Sequence, residues 1–148
     1  MNCGENHKFG KCKREIVDVL RSHDINPTSQ RIEIAHLVLR QAQHLSADEI
    51  LAELNKEYEQ VSQATVYNTL KVLVEKRVLR ELVFAPDRIY YDSNTDPHHH
   101  FVDIDTGRIY DIPVEAIRCP ELSYVDHLQA EVLEVSLLIK GRIPQAKA

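Results

Sequence analysis

Three consecutive histidines, His98, His99 and His100, stand directly before a segment with strand-like composition. Alternate side chains of a strand point to the same face, so His98 and His100 share one face and His99 lies on the other. Two imidazoles at this spacing are a common half-site for a divalent metal. The Asp-Thr-Gly sequence that follows predicts a hairpin turn, which would return Asp111 to the side of the histidines. The pattern therefore predicts a metal site at His98 and His100.

Two earlier residues, His44 and Asp92, are further candidate ligands. His44 taken alone fits an exposed loop histidine, and as a ligand it would have to reach across the predicted domain boundary. Imidazoles and carboxylates together favour Fe(II) or Mn(II), and Zn(II) would also bind. A mononuclear site with an open position could activate water or oxygen. An alternative function is therefore that of a metal-dependent enzyme that does not bind DNA. No separate general base or substrate pocket signal accompanies the ligands, and we expect no enzyme.

The polar face of a helix that begins at Ser62 is the second candidate functional surface. Val66, Leu70 and Leu73 recur at i, i+4 and i+7, so one stripe of this helix faces a core. The rest of its surface is compatible with an ordinary solvated face. It also offers short polar groups near a helix N-terminus, which can read base edges or bind phosphate. The candidate DNA-binding residues of this helix are Ser62, Gln63, Thr65, Tyr67, Asn68 and Lys71.

Helical periodicity fills the first part of the chain, and strand-like alternation fills the second. Helix signals cover residues 11–23, 28–42, 46–58 and 62–75, and strand signals follow at 79–84 and 89–92. Helices followed by a hairpin are the outline of a winged helix-turn-helix, in which the helix before the wing enters the major groove.

The segment 133–140 alternates like a half-buried strand and would complete a three-stranded antiparallel sheet with the His98–Asp111 hairpin. A sheet of this size buries little surface alone, so we expect it to pair with a second copy in a homodimer. The predicted fold class is α+β. Residues 1–84 form a winged-helix DNA-binding domain, residues 85–97 the wing end and hinge, and residues 98–148 a small α/β metal-binding and dimerisation domain.

Acidic residues exceed basic ones, and the whole excess lies in the second part. The 18 Lys and Arg against 23 Asp and Glu give a net charge of −5. Residues 1–84 carry 12 basic and 12 acidic residues, whereas residues 85–148 carry 6 and 11. This balance excludes a protein that coats polyanions with a wholly basic surface, and leaves a local basic footprint at Arg31, Lys71 and the wing.

The apolar segments and the cysteines of the sequence predict where in the cell the protein is located. No apolar run approaches the ~18 residues of a membrane span, and the first residues contain no apolar segment typical of a signal peptide. Three widely spaced cysteines fit a reducing compartment better than a disulfide framework. We therefore expect a cytoplasmic protein that does not bind membranes.

Four segments, taken together, resemble the Fur family of metal-responsive bacterial transcription regulators over residues 25–141. The segments are Pro27-Thr28-Ser29-Gln30-Arg31, His44-Leu45-Ser46-Ala47-Asp48-Glu49-Ile50, Val61-Ser62-Gln63-Ala64-Thr65-Val66-Tyr67-Asn68-Thr69-Leu70-Lys71 and Asp96-Pro97-His98-His99-His100. The helix sequence and the His cluster together are highly specific. The resemblance implies a dimeric, metal-dependent regulator, interpreted as a repressor, that binds a palindromic double-stranded operator through the helix Ser62–Glu75.

The resemblance also implies the metal ligands and a signal. The family's regulatory Fe(II) or Mn(II) site falls on His44, Asp92, His98, His100 and Asp111. Asp rather than Glu at position 111 resembles the peroxide-sensing branch, PerR, in which Fe(II) reacts with peroxide and a ligand histidine is oxidised. The oxidation-sensitive positions here are His44 and His98. Losing either would remove a ligand that ties the two domains together, so the dimer would lose its DNA-binding shape.

The sequence departs from most family members at the structural zinc site. Asp103 and Thr106 stand where relatives begin their Cys-x-x-Cys pairs, and no cysteine follows Cys119, which excludes a four-cysteine zinc site. The missing cysteines and the His cluster are also similar to Irr, a haem-linked iron regulator of the same family. In that alternative His99 or Cys119 would be the haem ligand, although a solvated loop cysteine fits Cys119 better.

Overall fold

A computed structural model describes residues 9–57, 59–85, 87–118 and 122–144 of the 148-residue chain. The chain divides into two compact units, Met1–Thr95 and Asp96–Ala148, and each is described by itself. Among the described residues, no helix has the length and apolar character needed to cross a membrane.

The described residues of the first unit form four helices, and three of these begin at a hydroxyl side chain that caps the helix. Thr28 and Ser62 accept hydrogen bonds from the third residue inside their helices. Ser46 and Glu49 form a reciprocal capping box, which satisfies two backbone N–H groups that the helix itself leaves without partners. The helices are α1 (Lys13–Ser22), α2 (Ser29–Val38), α3 (Ala47–Leu54) and α4 (Gln63–Glu75).

Two of these helices end earlier than their periodicity predicts. The prediction that α2 runs to residue 42 is wrong, because the chain leaves the helix after Val38. The prediction that α3 runs to about residue 58 is wrong as well, since α3 ends at Leu54. Asn55 holds the chain that follows α3: its Oδ1 accepts from the backbone N of Gln60 and Val61, and its Nδ2 donates to the Val61 carbonyl.

A small antiparallel sheet completes this unit. Its strands are β1 (His44–Ser46), β2 (Arg80–Ala85) and β3 (Arg88–Asp92), in the order β1-β3-β2. The β2–β3 hairpin agrees with the predicted wing strands. Strand β1 was missed because three residues are too few to show alternation, yet it places His44 opposite Asp92 on β3.

The helices of the first unit share one apolar core. The stripe of Val66, Leu70 and Leu73 on α4 is fully buried, as its spacing predicts, and each such side chain contributes about 1.5–3 kcal/mol relative to an exposed one. The opposite face of α4 is therefore left at the surface. Fully buried partners from the other helices are Ile16, Leu20, Ile34, Ala35 and Ile50.

The second unit is a three-stranded sheet with two short helical turns. Its elements are β4 (His98–Asp103), β5 (Ile109–Pro113), a 3₁₀ turn (Val114–Ala116), α5 (Ser123–Asp126) and β6 (Leu138–Gly141), with strand order β5-β4-β6. Strands β4 and β5 are antiparallel, as predicted from the turn between them. The α+β fold class is confirmed.

The expectation of a wholly antiparallel second sheet is wrong, because β6 pairs with β4 in parallel. Strand β5 ends beside the start of β4, so a strand that begins at this end of the sheet and pairs with the other edge of β4 runs parallel to β4. The alternating segment predicted at 133–140 is a strand only from Leu138. Gly141 lets β6 approach closely, since a Cβ there would meet the Phe101 ring at 2.8 Å.

Candidate metal centre

The first unit brings one imidazole and one carboxylate together on neighbouring strands. His44 on β1 and Asp92 on β3 are Cα partners, and His44 Nε2 lies 3.6 Å from Asp92 Oδ2. Their side chains are 8% and 0% exposed. The backbone N of Asn94 donates to Asp92 Oδ1 at 2.7 Å, which fixes the carboxylate so that its other oxygen faces the imidazole.

The second unit brings two imidazoles and one carboxylate together across β4 and β5. His98 and His100 lie on the same face of β4, with ring centroids 4.4 Å apart, as the alternation predicts. Asp111 on β5 is the Cα partner of His100. Its Oδ1 lies 3.3 Å from His98 Nε2 and 3.8 Å from His100 Nε2. Both histidines are 5% exposed or less, and Asp111 is 27% exposed.

A backbone carbonyl sets the tautomer of His98. The Nδ1 of His98 lies 2.7 Å from the carbonyl oxygen of Asp96, which can only accept. His98 Nδ1 therefore carries the proton, and Nε2 offers its lone pair toward Asp111. Outer hydrogen bonds of this kind orient the histidine ligands of metal sites and raise their basicity.

These residues fit a divalent metal ion. The candidate ligands are His44 and Asp92 in the first unit and His98, His100 and Asp111 in the second. A divalent ion bound at about 2.1 Å separates neighbouring ligand atoms by roughly 3 Å and opposite ones by roughly 4 Å. The N–O separations of 3.3–3.8 Å within each unit lie in this range, and they exceed the roughly 2.7–3.2 Å of an ordinary hydrogen bond. The mixed N and O donor set suits Fe(II), Mn(II) or Zn(II).

Of the two candidate haem ligands, only His99 lies among the described residues. His99 is 4% exposed, and its Nδ1 accepts from the backbone N of Leu137 at 3.2 Å, so this nitrogen supports the approach of the chain to β4. Cys119 lies outside the described residues. Haem ligation by either residue stays a prediction.

The predicted DNA-binding residues lie along α4, from its N-cap Ser62 to Lys71, and in the first turn of α2. On α4, Ser62, Gln63, Tyr67, Asn68 and Lys71 are exposed and Thr65 is partly buried. The hydroxyl of Ser62 also serves the helix, since it accepts from the backbone N of Thr65 at 3.2 Å. On α2, Arg31 Nη1 donates to the Asn26 carbonyl at 3.1 Å, which holds the guanidinium near the start of that helix.

The wing carries an arginine that the sequence did not single out. Arg88 Nη1 lies 3.3 Å from the Tyr90 hydroxyl, and the Tyr90 ring stacks on Phe84 with centroids 4.8 Å apart. The hydrogen bond to Tyr90 raises the pKa of Arg88 above its ordinary value. Neighbouring Tyr91 is buried, and this burial, with the negative charge of Glu81, raises the pKa of its phenol.

The turn between β4 and β5 contains a buried carboxylate with its own donors. Asp103 is 2% exposed, its Oδ2 accepts from the Thr106 hydroxyl at 2.6 Å, and its Oδ1 accepts from the backbone N of Asp105 at 3.2 Å. The Thr106 hydrogen bond, followed by backbone donors, lowers the pKa of Asp103. Gly107 takes the left-handed φ of 72° that closes this turn.

The sequence model of the ferric uptake regulator family matches residues 22–140 of the chain. The chain is 30% identical over 114 residues to the peroxide-responsive repressor PerR of Staphylococcus aureus strain Mu50, which covers 77% of this chain and 74% of that protein. It is 29% identical over 120 residues to the PerR of Staphylococcus epidermidis, covering 81% and 77%.

Solved structures have the same fold. The ferric uptake regulator of Vibrio cholerae superposes with a TM-score of 0.72 at 23% identity, covering 86% of this chain and 98% of that chain. The peroxide stress regulator of Campylobacter jejuni superposes with a TM-score of 0.62 at 23% identity, covering 93% and 99%.

Proposed function

Because the chain belongs to the ferric uptake regulator family, we propose that it is a metal-dependent transcriptional repressor in which one divalent ion controls DNA binding. The observation that carries the proposal is the candidate group of three imidazoles and two carboxylates. No catalytic role is assigned to it, because the relatives are named as regulators.

All five residues bind the same ion in this proposal. Neither set is complete alone, since the first unit offers two ligands and the second three, whereas Fe(II) and Mn(II) favour five or six. Asp92 and His98 lie near each other in sequence, on either side of the division between Thr95 and Asp96. A bound ion therefore restrains one unit relative to the other and favours the DNA-binding arrangement. A hundredfold preference for that arrangement corresponds to about 2.7 kcal/mol.

The restrained protein binds a palindromic operator as a homodimer. The exposed polar face of α4 enters the major groove, where Gln63, Tyr67 and Asn68 reach bases or backbone. Arg31 and Lys71 contact phosphates. Because the first half of the sequence has no net charge, the positive charge that attracts DNA is local to these residues. We place the protein in the cytoplasm, where its DNA is.

Peroxide is the proposed signal, with iron status as the alternative. When bound, Fe(II) would supply the electrons that cleave the O–O bond of peroxide. One oxygen atom would enter a C–H bond of the His44 or His98 imidazole, one from each unit, and the other would leave as water. An oxidised imidazole is a poor ligand, so the restraint between the units is lost and DNA is released. The peroxide-responsive repressors among the relatives support this signal over iron status.

The test is metal-stimulated DNA binding with variants at each part of the machinery. A duplex is selected from a randomised pool with the Mn(II)-loaded protein, and its affinity is measured by fluorescence anisotropy with and without Mn(II). We expect His98→Ala and Asp92→Ala to remove the stimulation, and Tyr67→Ala to weaken binding in both states. His127→Ala, an exposed histidine, is the matched control and should behave as the parent. Equal DNA affinity of the parent with and without metal would refute the proposal.

The signal is tested separately. Protein loaded with Fe(II) without oxygen is treated with stoichiometric peroxide, digested and examined by mass spectrometry. One added oxygen atom on the His44 or His98 peptide, absent from the Mn(II)-loaded sample, is the expected result. Unmodified peptides together with unchanged DNA affinity would assign the protein to iron status instead.

A further inference from the structure

The side chain of Gln43 holds the C-terminal end of α2. Its Nε2 donates to the carbonyl oxygens of Leu37 at 2.7 Å and Val38 at 3.2 Å. The last carbonyls of a helix have no i+4 donor within the helix, so the bond to Val38 satisfies an acceptor that α2 leaves open. The bond to Leu37 adds a second donor to a carbonyl that also accepts from the backbone N of Arg40 at 3.4 Å. Both partners are acceptors only, which requires the NH₂ group of the amide to face them.

The backbone of Gln43 is joined to Ser93, directly after β3. The backbone N of Gln43 donates to Ser93 Oγ at 3.2 Å, and the backbone N of Ser93 lies 3.4 Å from the Gln43 carbonyl that accepts from it. Ser93 Oγ in turn donates to the Gln41 carbonyl at 3.0 Å. Ser93 is 3% exposed, so these bonds are screened from water and are costly to leave unmade.

This bonded pair is adjacent in sequence to a pair of candidate metal ligands. Gln43 immediately precedes His44, and Ser93 immediately follows Asp92, while His44 and Asp92 are themselves partners across β1 and β3. A change in the position of His44 or Asp92 therefore acts on a residue that is one peptide bond away. The Gln43 side chain connects this position to the last turn of α2.

We propose that Gln43 is a positioning residue. Through it, metal binding at His44 and Asp92 changes the position and stability of the C-terminal end of α2. The proposal rests on the metal dependence proposed above. Helix α2 contains Arg31 in its first turn and packs against both α3 and α4, so the position of α2 affects how the proposed DNA-binding residues are presented. The metal thereby acts on the inside of the DNA-binding unit as well as between units.

A simple helix cap and a coupling residue predict different results. A cap stabilises the end of α2 to the same extent with and without metal. A coupling residue makes that stabilisation depend on the metal. The backbone amides of Leu39 and Arg40 report the difference, because they donate to the carbonyls of Ala35 and Leu37 in the last turn of α2.

The experiment is amide hydrogen exchange of the full chain with and without Mn(II), with Mn(II) affinity measured by calorimetry on the same samples. In the parent we expect Mn(II) to slow exchange at Leu39 and Arg40 at least tenfold. In Gln43→Met, which keeps the length of the side chain but removes the donor, Mn(II) affinity stays within threefold of the parent while that slowing falls below twofold. Gln41→Met, two residues earlier in the same loop, is the matched control and keeps the parent's response.

The outcomes separate this inference from the proposed function. Slowing at Leu39 and Arg40 in Gln43→Met equal to the parent's overturns the coupling role, as does a parent that binds Mn(II) without any slowing there. A parent that does not bind Mn(II) overturns the metal dependence and the coupling together. Ser93→Ala, which keeps the Gln43 contact with α2 but loses the hydroxyl bridge, provides a second variant and should reduce the slowing by about half.

Discussion

Asp92 and Asp103 occupy equivalent places in the two units but have different partners. Each is the last residue of a strand, each is 2% exposed or less, and each accepts at Oδ1 from the backbone N two residues later. The difference lies in Oδ2. In Asp103 this oxygen is bound by the Thr106 hydroxyl of its own turn, whereas in Asp92 it faces the imidazole of His44 on another strand.

Asp103 stabilises a turn through its hydrogen bonds, whereas Asp92 is a carboxylate that we propose binds an ion. Donors from the same turn satisfy Asp103 when the hairpin folds, so its negative charge requires no cation. Asp92 shares its pocket with an imidazole at 3.6 Å, an arrangement that a divalent cation stabilises. Hydrogen bonds from Thr106 and Asp105 to the Asp103 carboxylate close this turn.

The largest predicted difference is in metal affinity. Asp92→Asn removes a charged ligand, and we expect Mn(II) affinity to fall at least a hundredfold by isothermal titration calorimetry. Asp103→Asn should change that affinity by less than threefold, because both oxygens of Asp103 accept hydrogen bonds from residues of its own turn. Similar losses in both variants would remove the distinction between the two carboxylates.

For thermal stability in the absence of metal, we expect Asp103→Asn to have the larger effect of the two variants. In the presence of a chelator, Asp103→Asn should lower Tm by several degrees, since an amide replaces one of the two oxygens that accept from Thr106 and Asp105. Asp92→Asn should lower Tm less, because the Asn94 hydrogen bond persists at one oxygen and the amide can take the place of the oxygen that faces His44. Scanning calorimetry measures both. A larger loss in Asp92→Asn would contradict the assignment of Asp103 as the structural carboxylate.

The acid dependence of stability provides a sharper test of Asp103. Its pKa is lowered in the folded protein, so its contribution is fully present above the unfolded pKa of about 3.9 and is lost as pH falls through the folded pKa. The Tm difference between the parent and Asp103→Asn should therefore be constant from pH 7 to 5 and shrink below about pH 4. A difference that grows with acid would mean that the folded-state pKa is raised instead.

The smallest effect concerns the hydroxyl of Thr106. Thr106→Val removes the donor to Asp103 with little change of shape and should lower Tm by less than Asp103→Asn does. Thr106→Ser keeps the donor and is the matched control, with Tm close to the parent's. Thermal melts in chelator at pH 7 measure both variants. Equal losses in the two would show that the methyl group matters rather than the hydrogen bond.

Features set by local sequence were predictable. Helix starts follow from Thr28, Ser46 and Ser62, because a capping side chain acts within three residues of itself. The sharing of one face by His98 and His100 follows from strand geometry, and the return of Asp111 follows from a turn sequence. Resemblance to the family supplied the remaining metal ligands, which the pattern alone left open.

Features set by distant contacts were not predictable. Strand β1 exists because β3 pairs with it, and three residues carry no periodicity of their own. The early end of α2 depends on the chain that continues past it toward Gln43, and the Gln43–Ser93 bonds join residues 50 positions apart. The parallel pairing of β6 depends on the path of a long connection, which alternation does not encode.

In the proposed mechanism, one ion takes ligands from both units. Mn(II) titration followed by calorimetry tests this with the parent, His44→Ala and His98→Ala, and with His127→Ala as the control. We expect one ion per chain in the parent and the control, and an affinity loss of at least tenfold in each of the other two variants. Parent affinity retained in either His44→Ala or His98→Ala would show that one unit alone holds the ion.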